Sequence, residues 1–343
     1  MSFYLERYPD NRHAIPLLTP RKNIDWEASA VFNPCVVKDG DIFRMLYRTY
    51  PKETSFGEPR LKRPGFYLNH QRSFIGYAES TDGIHFERRD TPFITPHETY
   101  DAFGCEDPRI TKFGDTFYIT YTAIDGPLHE KNKQPNIRIA LATTKDFYNI
   151  TKHGIIGPNE RSKAAAVFPE EVSNGKIALA LTINSDSENS HVALRYYNSL
   201  EELIHPTTES WERFLENSLE TAVLKTHWWL DRGPELGAPP IKTDRGWLFI
   251  YSTEAMSHTW TISAALTDLS EPHRLIAHTP GFLLQPVTDY ERDGIVPQVT
   301  FPSGAVISGE DLLVYYGAAD TVIGLATCKL DNLLNYLEKF KGK

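Results

Sequence analysis

The densest chemistry in the chain lies in Phe103-Gly104-Cys105-Glu106-Asp107-Pro108-Arg109. Two adjacent carboxylates, a rigidifying proline and an arginine stand there just ahead of a strand beginning near Ile110. A carboxylate crowded by another and by apolar walls has a raised pKa, which a general acid needs at neutral pH. Asp107 is the candidate for that role; the alternative is a salt-bridged structural closure. Val31-Phe32-Asn33-Pro34-Cys35 is followed by Arg48 at the end of the next strand, although Asn-Pro is often only a turn and Arg48 could pair at the surface. In Lys163-Ala164-Ala165-Ala166-Val167-Phe168-Pro169-Glu170-Glu171, Lys163 could hold a sugar hydroxyl or an anion, or simply be solvated. Gly233-Pro234-Glu235-Leu236-Gly237-Ala238-Pro239-Pro240 fixes Glu235 in a Gly/Pro frame, which suits a positioned carboxylate and equally a turn cap. The last such segment, Val296–Gly304, is followed by Tyr316 and Asp320.

Other chemistries find no support. The chain has no Gly-x-Gly-x-x-Gly, P-loop, His-Glu-x-x-His or Gly-x-Ser-x-Gly. Its 12 histidines show no ligand spacing. Cys35, Cys105 and Cys328 are odd in number and widely separated, giving neither a disulfide framework nor a zinc pattern. Neither a cofactor nor a metal is expected.

Something must bring these five segments together, and an internal repeat supplies it. A turn followed by an alternating aromatic and aliphatic strand occurs five times, with turn glycines at Gly40, Gly114, Gly175, Gly246 and Gly309. Each copy is preceded by an apolar run and followed by another, such as Phe74–Ala78 or Ile137–Ala142. Asp-Gly-like turns between alternating runs signal hairpins. Five four-stranded blades around a channel account for the rhythm, since radial repetition leaves only short edges; a two-sheet sandwich is the alternative. The expected fold is an all-β, five-bladed propeller occupying residues 1–343 as a single domain. The polar segments then lie on the innermost strands, at one mouth of the channel. Short helices are expected at Leu200–Leu203 and Trp211–Glu216, in an insertion at about 198–229 between blades three and four. A C-terminal helix is expected at Asp331–Leu337, capped by Asp331 or Asn332.

Composition sets the outer limits. The 343 residues carry 36 Lys+Arg against 45 Asp+Glu, a net charge of −9, which argues against nucleic acid or an anionic membrane as partner. No apolar stretch is long enough for a transmembrane helix, and the N-terminus lacks a signal-peptide layout. A cytoplasmic location is the expectation. Aromatic residues reach 12%, enough for core and for surfaces that suit sugar faces.

In order, Asn33-Pro34 with Arg48, Gly104–Arg109, Ala142–Phe147, Phe168-Pro169-Glu170, Gly237–Ile241, Tyr290-Glu291 with Gly294, and Tyr315–Asp320 resemble glycoside hydrolase family 130 over roughly residues 30–335. The resemblance implies a five-bladed propeller acting on β-mannosides with inversion, as a phosphorylase yielding mannose 1-phosphate or as a hydrolase. It makes Asp107 the proton donor. Asn33, Arg48 and Lys163 become contacts of the mannose that is cleaved off, with Glu106, Arg109 and Tyr316 beside them; Asp268 and Asp320 are weaker transfers. Phosphorylases of the family typically carry a His-Arg-Pro-like segment where this chain has Leu181–Glu188, a His after the Ile-Tyr matching Ile250-Tyr251, and often a basic residue at Glu235. Fewer cations and more carboxylates speak against a phosphate pocket, because the dianion needs charge-assisted donors. The expectation is therefore an inverting hydrolase of short, β-1,2-linked mannosides. Asp107 would act as acid and Glu235 or Glu188 as the base activating water, roughly 6.5–9.5 Å away. A β-mannoside phosphorylase is the alternative, and a non-catalytic glycan-binding propeller the second. The insertion, with Trp211, His227, Trp228 and Trp229, is the expected source of linkage specificity. Assembly into a homo-oligomer is implied by the resemblance alone.

Overall fold

The computed structural model describes residues 2–60, 64–69, 72–127, 135–172, 175–225, 230–255 and 257–342. Five antiparallel sheets follow one another along the chain as the blades of a propeller. Blade one comprises Ala30–Asp39, Ile42–Tyr50, Phe74–Ser80 and Glu87–Arg88; blade two comprises Gly104–Phe113, Thr116–Ile124, Ile137–Thr144 and Ile150–Ile155. Blade three is Lys163–Val167, Ile177–Ile183, His191–Tyr197 and Ala222–Leu224. Blade four is Leu230–Leu236, Gly246–Ala255, Thr259–Thr267 and Leu275–His278, with Ile241–Thr243 as an extra edge piece. Blade five takes Thr300–Ser308, Asp311–Ala318 and Val322–Lys329 from the end of the chain and Glu6–Arg7 from its beginning.

That last pairing closes the ring. Arg7 sits opposite Ala326 and is fixed by a buried ion pair, its Nε 2.7 Å from Glu291 Oε1. The Tyr316 hydroxyl donates to the same carboxylate at 2.8 Å. The repeat also has a local cause: all five turn glycines adopt positive φ, from 59° to 147°, which L side chains rarely tolerate. Between blades the faces are apolar. Trp247, Phe249 and Tyr251 of blade four pack with Phe168 and Leu194 of blade three, while Cys35 of blade one accepts the Ile110 N–H of blade two at 3.2 Å.

Helices are few. Leu200–Ile204 and Thr208–Glu216 lie where expected, their first turns capped by the Ser199 and Thr207 hydroxyls. They interrupt blade three, however, rather than separating it from blade four, because Ala222–Leu224 returns to pair with His191–Tyr197. The C-terminal helix spans Leu330–Glu338 and buries Leu333, Leu334 and Leu337. Its N-cap is Lys329, with no side-chain cap, so the expected capping by Asp331 or Asn332 is not what starts it. No described helix is long and apolar enough to cross a membrane.

Candidate active site

The register of each innermost strand skips at the same end of the ring. Extra residues stand between Phe32 and Cys35, Glu106 and Arg109, Lys163 and Ala165, Arg232 and Glu235, and Pro302 and Gly304. A bulge leaves its extra residue out of the ladder and re-aims the side chains beside it. It also tolerates proline, which has no N–H to give to the ladder. Pro34, Pro108 and Pro234 all occupy such bulges, which explains why the chemical residues come in Asn-Pro, Asp-Pro and Gly-Pro-Glu phrases. Asn33 and Asp107 take φ of 47° and 50°, a region that Asn and Asp enter more readily than most residues.

The bulges open onto a cavity of about 1230 Å³ lined from all five blades. Against one wall, Arg48 is clamped between two carboxylates, with Nη2 2.6 Å from Glu106 Oε1 and Nη1 3.1 Å from Asp107 Oδ1. Its guanidinium lies over Phe32 and Tyr50, 4.7 and 4.9 Å from the ring centres. Asn33 Nδ2 donates to Asp107 Oδ1 at 2.8 Å, and Ser73 Oγ to Glu106 Oε1 at 2.9 Å. Asp320 completes the wall.

Charge is unevenly distributed among these acids. Burial pushes Asp107 up, but Arg48, Arg109, the Asn33 amide and Lys163 together outweigh it and hold the carboxyl below its ordinary value. Burial wins at Glu106, helped by the Asp107 charge against the pull of Arg48, and raises its value. At Asp320 burial, with a contribution from Asp107, prevails over Arg48, Arg60 and Lys163 and pushes the pKa up to about 6. The expectation that crowding raises Asp107 itself is therefore corrected: the cations around it favour its ionised form, and its neighbours rise instead.

The opposite wall is cationic. Arg161, Lys163 and Arg232 converge on the Asp186 carboxylate at 2.9, 2.6 and 2.5 Å. Arg232 also lies 3.0 Å from Glu254, which pairs with His258. Glu235 stands beside this cluster, accepting the Asp186 backbone N–H at 3.0 Å. Burial, then the Asp186 charge, push its pKa up to about 7 against Lys163, that N–H and Arg232. The strand end carrying it is fixed by the Leu236 N–H donating to Thr182 Oγ1 at 2.9 Å.

Eight expected residues thus meet in one cavity: Asn33, Arg48, Glu106, Asp107, Arg109, Lys163, Glu235 and Asp320. Arg109 is buried and committed to backbone carbonyls, donating to Asp107 at 2.8 Å, Gly237 at 2.7 Å and Leu236 at 3.3 Å. It is a strut joining blades two and four. Three expected residues lie elsewhere. Glu188 is exposed on the loop after Ile183 and does not line the cavity. Asp268 holds a turn at the other end of blade four, accepting the Ser270 and Glu271 N–H groups at 2.8 and 3.0 Å. Tyr316 is buried in the Arg7–Glu291 closure, away from the cavity lining. The insertion also fails as a specificity wall where it is described. Trp211 is core, donating Nε1–H to Ile156 O at 2.9 Å under the Arg195 guanidinium; His227, Trp228 and Trp229 lie outside the described residues.

Sequence reasoning missed Arg161, Asp186, Arg232 and Glu254, and with them the cation cluster. The expectation that this wall lacks the cations a phosphate needs is overturned. One signal was present: Arg161 and Lys163 are two apart leading into an extended segment, so they share a face. Also missed was the hairpin Ser55–Pro59 with Phe66–Asn69, inserted into blade one, whose Glu58, Tyr67 and Asn69 border the cavity.

Comparison with known proteins agrees with this architecture. The family model Glyco_hydro_130, described as beta-1,4-mannooligosaccharide phosphorylase, matches residues 12–339. A 1,2-beta-oligomannan phosphorylase from Thermoanaerobacter sp. (strain X514) is 31% identical over 326 residues, covering 93% of this chain and 96% of that protein. A beta-1,2-mannobiose phosphorylase from Listeria innocua is 29% identical, over 88% of this chain and 80% of its own length. The solved structure of beta-1,2-mannobiose phosphorylase from Listeria innocua in complex with beta-1,2-mannobiose superposes with a TM-score of 0.73 at 26% identity, covering 98% of this chain and 99% of that one. With the family model spanning nearly the whole chain and this propeller beneath it, the protein belongs to glycoside hydrolase family 130.

Proposed function

We propose that this protein is an inverting phosphorylase of short β-1,2-linked mannosides. The observation that carries the proposal is the pairing, within one cavity, of an acid-bearing wall around Arg48 with a wall where Arg161, Lys163 and Arg232 converge on a single anionic group. Three charge-assisted donors in one place suit a tetrahedral oxyanion. The relatives named as β-1,2-mannoside phosphorylases support the same choice.

The mannosyl ring occupies the wall of Asn33, Arg48, Glu106 and Asp320, with Asp107 at the glycosidic oxygen. Phosphate on the cationic wall attacks the anomeric carbon from the opposite side. The glycosidic C–O bond breaks as the new C–O bond to phosphate forms, and a proton passes through Asp107 to the departing sugar oxygen. Asp107, itself held below its ordinary value, takes that proton from Glu106 or Asp320. One inversion turns the β-mannoside into α-mannose 1-phosphate and leaves the Asp107 carboxylate to be reprotonated. Glu106 and Asp320, which keep their protons to higher pH, share the wall with it.

A specific observation favours a second reading. Glu235, with its pKa near 7, has the value of a general base at neutral pH and would activate water in a hydrolase. One experiment separates the two. β-1,2-Mannobiose is incubated with and without inorganic phosphate, and mannose 1-phosphate and free mannose are measured. Turnover that requires phosphate and yields mannose 1-phosphate supports the proposal; phosphate-independent release of two mannoses sinks it in favour of hydrolysis.

A further inference from the structure

The cationic wall is already occupied, and its occupant belongs to the chain. Asp186 presents both carboxylate oxygens to the cluster: Oδ2 meets Lys163 Nζ at 2.6 Å and Arg161 Nη2 at 2.9 Å, and Oδ1 meets Arg232 Nη1 at 2.5 Å. Two oxygens of one small anion are thus distributed over three cations, as two oxygens of a bound oxyanion would be. Lys163, Arg232 and Asp186 each keep part of the side chain open to solvent, at 24, 14 and 24% relative exposure, so an ion arriving through the cavity can reach them.

Asp186 differs from an ordinary ion-pair partner in what carries it. It sits on the connection 184–190 between Ile177–Ile183 and His191–Tyr197, outside the ladder. The three cations instead come from the two neighbouring inner strands or the segment leading into one of them. Asn184 and Asp186 both hold φ in the left-handed region, at 54° and 63°. The backbone of this loop is tied to the cluster's side of the cavity by the Asp186 N–H donating to Glu235. Lys163 and Arg232 thus stand on strands, Arg161 just ahead of one, and the anion is on a loop.

We infer that Asp186 is an internal competitor for the oxyanion site: its carboxylate fills the Arg161–Lys163–Arg232 cluster in the empty enzyme and leaves it when phosphate binds. The inference rests on the phosphorylase reading and concerns how that site is regulated. The device has two physical consequences. It keeps three cations paired when no phosphate is present, where mutual repulsion and burial would otherwise destabilise them. It also lowers apparent phosphate affinity by the fraction of time the site stands free.

The test is the variant Asp186→Asn, which keeps size and tolerates the same φ but removes the charge. Inorganic phosphate binding is measured by thermal shift without sugar, alongside the KM for phosphate with β-1,2-mannobiose. A site free about one-tenth of the time predicts a fall of roughly tenfold in both Kd and KM for phosphate in the variant. A merely structural aspartate would give the opposite, since losing it disorders the cations and weakens binding. Unchanged or weaker phosphate binding by a folded variant overturns the inference. Asp186→Ser, measured in the same way, replaces the asparagine variant if that protein does not fold. If the wild-type protein releases mannose without phosphate and neither protein binds the ion, the phosphorylase reading falls and takes this inference with it. If the wild type is phosphate-dependent and neither variant gains affinity, only the internal competitor is refuted.

Discussion

Replacing Asp107 with asparagine should separate catalysis from stability. Asp107 Oδ1 accepts from Asn33 at 2.8 Å and faces Arg48 Nη1 at 3.1 Å; an asparagine oxygen can keep both contacts. Arg48 does not become an unpaired buried charge, because Glu106 remains 2.6 Å away. The usual penalty of about 3–5 kcal/mol for stranding a buried ion therefore does not apply. Removing the Asp107 charge also relieves Glu106 and Asp320, whose values it helps to raise. We expect a stability change within about 1 kcal/mol, small against the catalytic effect. Loss of a general acid costs about 10²–10⁴ in rate, equivalent to about 2.7–5.4 kcal/mol of transition-state stabilisation. The assay compares kcat/KM on β-1,2-mannobiose with kcat/KM on a nitrophenyl β-mannoside at saturating phosphate, with thermal melts of both proteins. A nitrophenolate leaves without a proton, so the loss on that substrate should be much smaller. Equal losses on the two substrates would refute the acid assignment and leave Asp107 as an anchor for Arg48 and Asn33. A loss of less than tenfold on mannobiose would remove it from the chemistry altogether.

Other perturbations test the remaining parts of the site. Glu235, raised to about 7, holds a proton in the native state that the unfolded chain releases near its ordinary value. The native protein therefore binds more protons across roughly pH 4.5–7, and stability declines as pH rises through that window. Glu235→Gln should remove about 3 kcal/mol of this decline, visible in denaturant melts at pH 5 and pH 8; a variant with the wild-type pH slope would contradict the assignment. Trp211→Ala should lower stability by about 3–5 kcal/mol without altering the KM for mannobiose, since Trp211 packs between blades and not on the cavity; a shifted KM would return the insertion to the binding site. Gly317→Ala should lower kcat/KM by about 10–100-fold, because the added Cβ would fall 2.2 Å from Asn33 Oδ1 and push Asn33 off Asp107; near-wild-type activity would show that Asn33 does not position the acid.

Much of the fold was legible because its signals are local. Five turn glycines need positive φ, and the strands after them alternate with period two, so blade number follows from counting. The inner-strand phrases were legible for a related reason: Pro34, Pro108 and Pro234 cannot stand in a regular ladder, so they mark bulges and therefore the residues that bulges re-aim. Asp268 was misplaced because a motif gives no information on which end of a strand meets the channel, and Tyr316, level with the Pro302 bulge, because it gives none on which face of the strand the side chain takes. Register alone shows that Asp268 lies beyond the Trp247–Thr267 pair, at the end of blade four opposite Glu235. Glu188 was chosen over Asp186 within a single Ser-Asp-Ser-Glu run; two residues of the same loop differ only in which one the backbone turns inward.

By itself, then, the sequence determined the five-fold ring, the strands that line its channel and the acid wall at Asp107, all of them consequences of backbone conformation and short-range pattern. Only the tertiary structure decided the electrostatics. Arg161 and Lys163 lead into blade three, Asp186 lies on a loop of that blade and Arg232 belongs to blade four, and only Lys163 stands out in its own stretch of chain. Coulomb energy depends on distance and on exclusion of water, and both are fixed by how the blades close. That closure lowers Asp107 where crowding suggested a rise, lifts Glu235 toward neutrality, and gathers three cations on one wall where residue-by-residue comparison saw cations missing.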